Sequence, residues 1–343
     1  MRATAERRWA PAPTQARGME TERPWDSPTA VQVPPVTLRD VRVASRRLQA
    51  VLPPSPLVYS GTREAWLKLE SLQPTGAYKV RGALNALMVQ VERGDKRPVM
   101  AASAGNHGAG VAWAARHLGL EAQIVVPEDA PRAKTARITA LGAKVVRFGS
   151  TFEESLSWAE HHAQNQEHRL LHAFDDPDII AGQGTVALEL LDAEPDVVAV
   201  PVGGGGLAAG TSIVLRAAGI RVVGVQVVGV DALGSHLRGG PDRIDPRATV
   251  ADGLRVREAG RLTRTLCRDG LDGVVMVTED EVRDTMVSLA AEEHLVVEGA
   301  GAVSVAGLSR LSGHRRVAVV SGGNVDLEVL ADLVRERRPS LRS

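Results

Sequence analysis

The sequence has 343 residues, of which 44% are hydrophobic and 24% are charged, a composition typical of a soluble globular protein with about two domains. The formal net charge is zero, so the overall charge does not favour binding to nucleic acid or to an anionic membrane surface. A single cysteine excludes an internal disulfide, and there is no run of about 20 apolar residues that would cross a membrane. We therefore expect a cytoplasmic protein with no nucleic-acid partner and no membrane partner.

Residues 1–35 contain many prolines and show no apolar periodicity, which predicts a flexible N-terminal arm. From residue 36 onward, short apolar runs alternate with helix-like segments, which predicts an α/β fold with parallel sheets. The predicted strands are 65–69, 99–103, 123–127, 144–148, 197–202, 222–228, 274–278 and 317–321. The predicted helices between them include 110–118, 132–141 and 208–218.

The first candidate for chemistry along the chain is Lys79, in the segment KLESLQPTGAYKVRGA at residues 68–83. It follows a Pro-Thr-Gly turn and begins a helix-like stretch. A lysine forms imines only when its amine is neutral, so a catalytic lysine is usually desolvated or close to other cations. The same letters also fit an ordinary lysine on the surface of a helix, and the local sequence leaves both interpretations open.

The second candidate is the loop SAGNHG at residues 103–108, between a predicted strand and a predicted helix. Hydroxyl, amide and imidazole groups lie there beside the free backbone N–H groups of a helix N-terminus, which suits a carboxylate ligand. A simple helix cap by Ser103 or Asn106 explains the pattern equally well.

Two further loops are rich in glycine. Gly203, Gly204, Gly205 and Gly206 follow the apolar run VVAVPV and precede an Ala-rich helix, an arrangement that favours a phosphate held by backbone amides over a plain flexible loop. The spacing differs from that of a dinucleotide fingerprint, and no acidic residue ends the next predicted strand. The loop SGGN at 321–324 also follows a strand, where either a ligand or a simple turn is expected.

Together and in this order, these segments resemble the fold-type II pyridoxal phosphate enzymes, the tryptophan synthase β-subunit superfamily. Within it they are most similar to the threonine/serine dehydratase and serine racemase branch. The lysine motif T-G-S-F-K-x-R-G-A reads TGAYKVRGA here, and the asparagine loop, the loop GGGGL, the segment VADGLRV and SGGN are in register. The resemblance runs from about residue 36 to residue 326.

The resemblance implies that pyridoxal 5′-phosphate is bound in a cleft between two domains. Lys79 would carry it as a Schiff base and would remove the substrate Cα proton. The glycine loop would hold the phosphate, and Asn106 would hydrogen-bond the phenolic oxygen. The implied cofactor-binding residues are Lys79, Tyr78, Asn106, Gly203, Gly204, Gly205, Gly206, Leu207 and Ser321.

The implied substrate residues are Ser103, Ala104, Gly105, His107 and Gly253, with Ser103 and His107 near the substrate carboxylate. Ala104 stands where serine racemase carries a hydroxyl, which argues against racemisation as the activity.

Ser321 would face the pyridine nitrogen of the cofactor. A neutral hydroxyl does not enforce a protonated ring nitrogen, which favours β-elimination over transamination.

Other positions depart from the family pattern. Ala77 and Tyr78 replace the usual Ser and Phe before the lysine, so an unusual substrate stays open. Gln226 replaces a metal-binding Glu, and the later ligand positions fall on Val230 and Ala232. Since a hard divalent cation prefers several oxygen ligands, we expect the family's Mg²⁺/Ca²⁺ site to be lost or weak, with Asp231, one residue out of register, as the alternative ligand.

The resemblance implies a large domain from residues 36–96 and 173–330, a small domain from 97–172 and a C-terminal tail at 331–343. It also implies a homodimer that catalyses α,β-elimination from a β-hydroxy amino acid, releasing a 2-oxo acid and ammonia. The alternatives are β-replacement, a tailoring reaction on a non-standard amino acid, and cofactor binding without catalysis. The intact substrate loop argues against the last of these.

Overall fold

The computed structural model describes residues 36–165 and 167–337, whose strands form two sheets. The strands are β1 (Leu57–Ser60), β2 (Ala65–Leu69), β3 (Val99–Ala102), β4 (Ala122–Val126), β5 (Lys144–Arg147), β6 (Arg169–Leu170), β7 (Val197–Pro201), β8 (Arg221–Val227), β9 (Gly273–Val277) and β10 (Arg316–Val320). The helices are α1 (Leu38–Leu48), α2 (Lys79–Glu92), α3 (Asn106–Leu118), α4 (Arg132–Ala140), α5 (Phe152–Asn165), α6 (Pro177–Leu188), α7 (Gly206–Ala217), α8 (Ala232–Leu237), α9 (Arg261–Gly270), α10 (Glu279–Glu292), α11 (Gly299–Ala306) and α12 (Leu327–Arg337). Short 3-10 helices lie at Glu70–Leu72, Leu191–Ala193, Asp252–Leu254 and Gly307–Arg310.

The N-terminal arm predicted at residues 1–35 lies outside the described residues. Helix α12 covers 327–337, which includes the first part of the predicted C-terminal tail. Among the described residues, no helix combines the length and the apolar character needed to cross a membrane.

The larger sheet has six strands in the order β1-β2-β10-β7-β8-β9. Strand β1 is antiparallel to β2, and all the other pairs are parallel. Successive side chains of a strand point to opposite faces. Accordingly, Val198 and Val200 pack with α1, α6 and α7 on one face, whereas Val197 and Ala199 pack with α10 and α11 on the other. Helices on both faces of a mostly parallel sheet confirm the predicted doubly wound α/β class.

The smaller sheet has four parallel strands in the order β5-β4-β3-β6. One face packs against α2, α3 and α4, and the other packs against α5. All its strands come from the part of the chain between β2 and β7 of the larger sheet. The domain boundaries at residues 97 and 172 stay a prediction.

The eight predicted strands are confirmed to within two residues at each end. Strands β1 and β6 were missed, because β1 has four residues, two of them exposed, and β6 has only two residues. Such short segments show no periodicity of their own and become strands through pairing with β2 and β3.

A buried ionic network anchors helix α2, which begins at Lys79. The Arg81 guanidinium donates to Glu70 at 2.7 and 2.8 Å and to Glu189 at 2.6 and 3.0 Å. The Nζ atom of Lys68 donates to Glu189 at 2.6 Å. Burial would raise the pKa of Glu70, but Arg81, Ser55 and Lys68 together outweigh burial and hold that pKa below its usual range. The start of α2 is therefore tied to the 3-10 helix that follows β2 and to the residue that follows α6.

Candidate active site

Three loops at the carboxyl ends of parallel strands converge near the start of α2. They are the loops after β3, β7 and β10, at residues 103–105, 202–205 and 321–326. Ligands bind at this end of the strands in α/β sheets. The loop after β10 contacts the turn before Lys79 directly: the amide of Tyr78 donates to the carbonyl of Ser321 at 3.0 Å, and the amide of Gly323 donates to Gly76 at 2.9 Å.

The side chain of Lys79 is half-buried, and its Nζ atom donates to the carbonyl of Ala173 at 2.8 Å. Among the described residues, no carboxylate forms an ion pair with it. Desolvation lowers the pKa of the Lys79 amine to about 8. The Tyr78 ring centroid lies 5.3 Å from Nζ, and burial raises the pKa of the Tyr78 phenol. Near neutral pH this amine is therefore much more often uncharged than a surface lysine.

The segment 171–175, which supplies the Ala173 carbonyl, was not predicted to be part of the site. The Nδ1 atom of His172 accepts from the amides of Phe174 and Asp175 at 3.2 and 2.9 Å. Nδ1 is therefore an acceptor, and in the neutral ring the proton lies on Nε2. Burial lowers the pKa of His172, which favours that neutral ring. The Asp175 carboxylate caps α9 by accepting from the amides of residues 261–263 at 2.9–3.1 Å.

The glycine loop after β7 packs against the same segment. A Cβ at Gly204 would lie 2.3 Å from Cδ1 of Phe174, and a Cβ at Gly206 would lie 3.0 Å from Cβ of Phe174. Gly205 has φ +93°, and a Cβ there would lie 2.9 Å from Cβ of Thr263. Glycine is thus required by packing and by conformation, and helix α7 begins at Gly206 with first-turn amides that have no intrahelical partner. This arrangement fits an anion such as phosphate.

Asn106 is the first residue of α3, and its side-chain amide is held by two partners. Its Nδ2 donates to Oε1 of Glu298 at 2.7 Å, and its Oδ1 accepts from Nδ2 of Asn324 at 2.7 Å. Asn324 also donates to the carbonyl of Thr75 at 2.8 Å. The structure therefore brings Asn106 close to the turn before Lys79, and its contact with a cofactor stays a prediction.

The predicted substrate residues of the loop after β3 and of the start of α3 lie in different surroundings. The hydroxyl of Ser103 accepts from the amide of Gly105 at 3.2 Å, and Ala104 is half-buried. The His107 ring is buried, its Nε2 lies 3.1 Å from the carbonyl of Leu171, and its Nδ1 has no partner within the described structure. Burial lowers the pKa of His107 to about 3, so the ring is neutral. With Nε2 committed to Leu171, contact between His107 and a substrate stays a prediction.

Three predicted residues lie at the rim or in the wall of the site. Ser321 is buried, and its Oγ donates to the carbonyl of Ala300 at 3.2 Å. Gly253 is exposed in the 3-10 helix at 252–254, where a Cβ would lie 3.3 Å from Cβ of Ala300. Leu207 is buried in the first turn of α7.

Glu298 is a site residue that the sequence analysis missed. It is 7% exposed and immediately precedes α11. Burial raises the pKa of its carboxyl group to about 7. The available signal was a single acidic residue in the apolar segment LVVEGAGAVSV, which does not by itself indicate a partner.

The side chain of Gln226, at the position of the family's metal-binding Glu, is satisfied by protein groups. Its Nε2 donates to the carbonyl of Val202 at 3.1 Å, and its Oε1 accepts from the amide of Gly234 at 2.7 Å. Within residues 36–165 and 167–337, no group of three or more His, Cys, Asp or Glu side chains is placed to hold a metal ion.

The chain is similar to known proteins over most of its length. The profile of the family described as pyridoxal-phosphate dependent enzyme matches residues 51–323. The chain is 39% identical to an L-threonine ammonia-lyase of Thermotoga maritima, over 87% of this chain and 78% of that protein. It is 34% identical to the catabolic L-threonine dehydratase of Escherichia coli K12, over 87% of this chain and 96% of that protein.

Solved structures are also similar to this chain over most of its length. The threonine deaminase of T.th. superposes with a TM-score of 0.80 at 36% identity, covering 84% of this chain and 99% of that chain. Maize serine racemase superposes with a TM-score of 0.82 at 29% identity, covering 88% of this chain and 97% of that chain.

Proposed function

The chain belongs to the family of pyridoxal-phosphate dependent enzymes, and we propose that it eliminates water from a β-hydroxy amino acid such as threonine or serine. The products would be a 2-oxo acid and ammonia. The observation that carries the proposal is Lys79, a half-buried amine held by the Ala173 carbonyl beside a glycine loop that only glycine can form. The relatives named threonine ammonia-lyase and threonine dehydratase support the same reaction.

The residues of the site fit the cofactor. The loop at Gly203–Gly206 and the first turn of α7 would hold its phosphate, because the amides there are free to donate. Asn106 would donate to its phenolic oxygen, and Ser321 would lie beside its ring nitrogen. Lys79 would hold pyridoxal phosphate before substrate binds, and the cofactor would supply an electron sink for the charge left on the substrate Cα after proton removal.

The chain's own groups would perform the proton transfer. The amine of Lys79 would take the proton from Cα, since its pKa of about 8 allows a neutral base near physiological pH. The hydroxyl of Ser103 and the amides at the start of α3 would hold the substrate carboxylate. The hydroxyl of Ser321 can rotate away from the Ala300 carbonyl to face a neutral ring nitrogen, which favours loss of the β-hydroxyl group over transamination.

The proposed reaction predicts specific products. The purified protein with pyridoxal phosphate is expected to release 2-oxobutanoate and ammonia from L-threonine, and pyruvate and ammonia from L-serine, in equal molar amounts. Coupled reduction of the 2-oxo acid and an ammonia assay measure the two products. Incubation without amino acid is the control. Cofactor binding without any 2-oxo acid from either substrate would contradict the proposal.

A second candidate is β-replacement or elimination on a non-standard amino acid. The observation that favours it is Ala77, which is fully buried and bridges Gly322 next to Lys79 in place of the usual Ser. A panel of β-substituted amino acids, with and without an added thiol, separates the two functions. A product that contains the thiol would favour β-replacement.

The glycine loop gives a further prediction. Gly204→Ala is expected to weaken binding of pyridoxal phosphate by about tenfold to a hundredfold, because the new methyl group would displace the Phe174 ring or the loop. Titration of the cofactor-free protein by visible absorption measures the dissociation constant. Gly61→Ala is the matched control, because nothing lies within 4 Å of a Cβ at that position. Equal weakening in both variants would contradict the role of the loop.

We also propose that residues 36–96 with 173–330, and residues 97–172, form two domains, because all strands of the smaller sheet lie within 97–172 and all strands of the larger sheet lie outside it. The resemblance to the family further supports a cytoplasmic homodimer. Light scattering of the purified protein measures its mass in solution.

A further inference from the structure

Glu298 is a buried carboxylate that the reaction described above does not use. It immediately precedes α11, but its side chain makes no capping hydrogen bond to that helix. Its Oε1 instead accepts from Nδ2 of Asn106 at 2.7 Å. A Cβ at Gly322 would lie 2.2 Å from Oε1, so the carboxylate occupies space that only glycine leaves open. The carboxylate is thus held between α3, α11 and the loop after β10.

The side-chain amide of Asn106 has one orientation that satisfies both neighbours. Its oxygen accepts from Nδ2 of Asn324 at 2.7 Å, and one of its two N–H groups donates to Glu298. A rotation by 180° would place its oxygen against the carboxylate and its NH₂ against the NH₂ of Asn324. In the observed orientation, one N–H of Asn106 remains available to a ligand.

The turn before Lys79 fixes the side chain of Asn324. Its Nδ2 donates to the carbonyl of Thr75 at 2.8 Å, and that carbonyl also accepts from the Arg137 guanidinium at 2.7 Å. A Cβ at Gly76 would lie 2.3 Å from Oδ1 of Asn324, so the amide packs directly on the backbone of this turn. The chain of contacts from Glu298 through Asn106 and Asn324 therefore ends four residues before Lys79.

We infer that Glu298 and Asn324 are positioning residues, which lock the Asn106 amide so that its remaining N–H faces the phenolic oxygen of the cofactor. This inference rests on the proposed function, because the phenolic oxygen belongs to the proposed cofactor. Neither residue needs to touch the substrate. Their effect is to keep a hydrogen-bond donor, and not an acceptor, directed at the cofactor.

The strength of the hydrogen bond between Glu298 and Asn106 depends on pH. Burial raises the pKa of Glu298 to about 7, with a smaller contribution in the same direction from Asp252 in the 3-10 helix. Lys134 and Arg137 of α4 oppose that shift, and Tyr78 also faces the carboxylate. A carboxylate binds an N–H more strongly than a neutral carboxylic acid does. The hydrogen bond that Glu298 accepts from Asn106 therefore becomes stronger as the pH rises through about 7.

The test compares the wild-type protein with Glu298→Gln, whose amide oxygen can still accept from Asn106 but does not titrate. The dissociation constant of pyridoxal phosphate is measured by visible absorption between about pH 6 and pH 8.5. Titration of Lys79 and of the cofactor phosphate affects both proteins equally and cancels in the ratio of their constants. The ratio of the variant to the wild type is expected to be near one at the acid end and about fivefold at the alkaline end.

Three further variants make the test independent of any folding defect. Asn324→Ala is expected to weaken cofactor binding at every pH, because the amide of Asn106 loses one of its partners. In Asn324→Ala the additional change Glu298→Gln should have a smaller effect than in the wild type, since the two residues act on one amide. Glu328→Gln, on the exposed face of α12, is the control and should leave the dissociation constant unchanged at every pH.

The outcomes separate the inference from the proposed function. A ratio that stays near one across the pH range, in a protein that binds the cofactor and eliminates water from threonine, would overturn the inference alone. Additive effects of Glu298→Gln and Asn324→Ala would also overturn it. A wild-type protein that binds no pyridoxal phosphate would overturn the proposed function, and the inference with it.

Discussion

Lys79→Ala is expected to lower kcat for threonine by at least about 10⁴-fold, because in the proposed mechanism this one side chain both attaches the cofactor and removes the Cα proton. Lys79→Arg should be as inactive, since a guanidinium neither forms a Schiff base nor loses its proton at neutral pH. Lys144→Ala, at an exposed position on β5, is the matched control and should retain full activity. Activity and the visible absorption band of the cofactor-loaded protein are measured together.

The structure also predicts how the rate of cofactor attachment to Lys79 depends on pH. With a pKa of about 8, about a tenth of the Lys79 amines are neutral at pH 7, whereas an ordinary lysine is almost entirely charged. The attachment rate should therefore rise with pH and level off above about 8. A visible band that persists in Lys79→Ala would mean that another lysine carries the cofactor.

The second large effect is expected from Arg81→Met, which should lower the free energy of unfolding by about 3–5 kcal/mol. The change leaves Glu70 and Glu189 without the guanidinium that contacts both of them, and Glu70 is fully buried. Activity should fall as well, because Arg81 lies on α2, two residues after Lys79. Urea unfolding of the cofactor-free protein measures the change in stability.

The loss of stability caused by Arg81→Met should increase with pH. In the wild type the pKa of Glu70 is lowered, so its ionic contribution to stability is present above the unfolded-state pKa and is lost as the pH falls through the folded-state value. In Arg81→Met the Glu70 carboxylate is buried without its guanidinium partner. Protonation of Glu70 at low pH therefore removes the free-energy cost of burying that charge. The stability difference should therefore be larger at pH 8 than at pH 4.

Two variants control for the loss of Arg81. Arg47→Ala breaks the ion pair with Glu92, in which the glutamate side chain is 51% exposed, and should change stability by at most about 1 kcal/mol. Adding Glu70→Gln to Arg81→Met should restore part of the lost stability, because one uncompensated charge is removed. Equal destabilisation by Arg47→Ala and Arg81→Met would contradict the buried network.

Much of the sheet structure could be predicted from the sequence because its strands are buried on both faces. A run such as VVAVPV has no polar position, and β7 lies in the interior of the larger sheet. Strand β1 escaped prediction because it lies at the edge of that sheet, and its central residues Val58 and Tyr59 are exposed.

The candidate site was predictable to the extent that it depends on glycine and on motif order. The loop at Gly203–Gly206 could be recognised because four adjacent glycines leave the backbone uncovered. The contact between Lys79 and Ala173 could not be predicted, because the acceptor is a backbone carbonyl that any residue supplies. The role of Glu298 could not be predicted, because its raised pKa comes from burial, and that burial arises only when the fold brings Asn106 and the loop after β10 against it.

The position of β10 constrains the order in which the protein can be assembled. It is the last strand along the described chain, yet it lies between β2 and β7 near the middle of the larger sheet. During synthesis from the N-terminus, β2 and β7 each have an unpaired edge until residues 316–320 have left the ribosome. Such edges are sites of aggregation, and pairing between distant segments is slow. The nascent chain therefore stays prone to aggregation until β10 has been made.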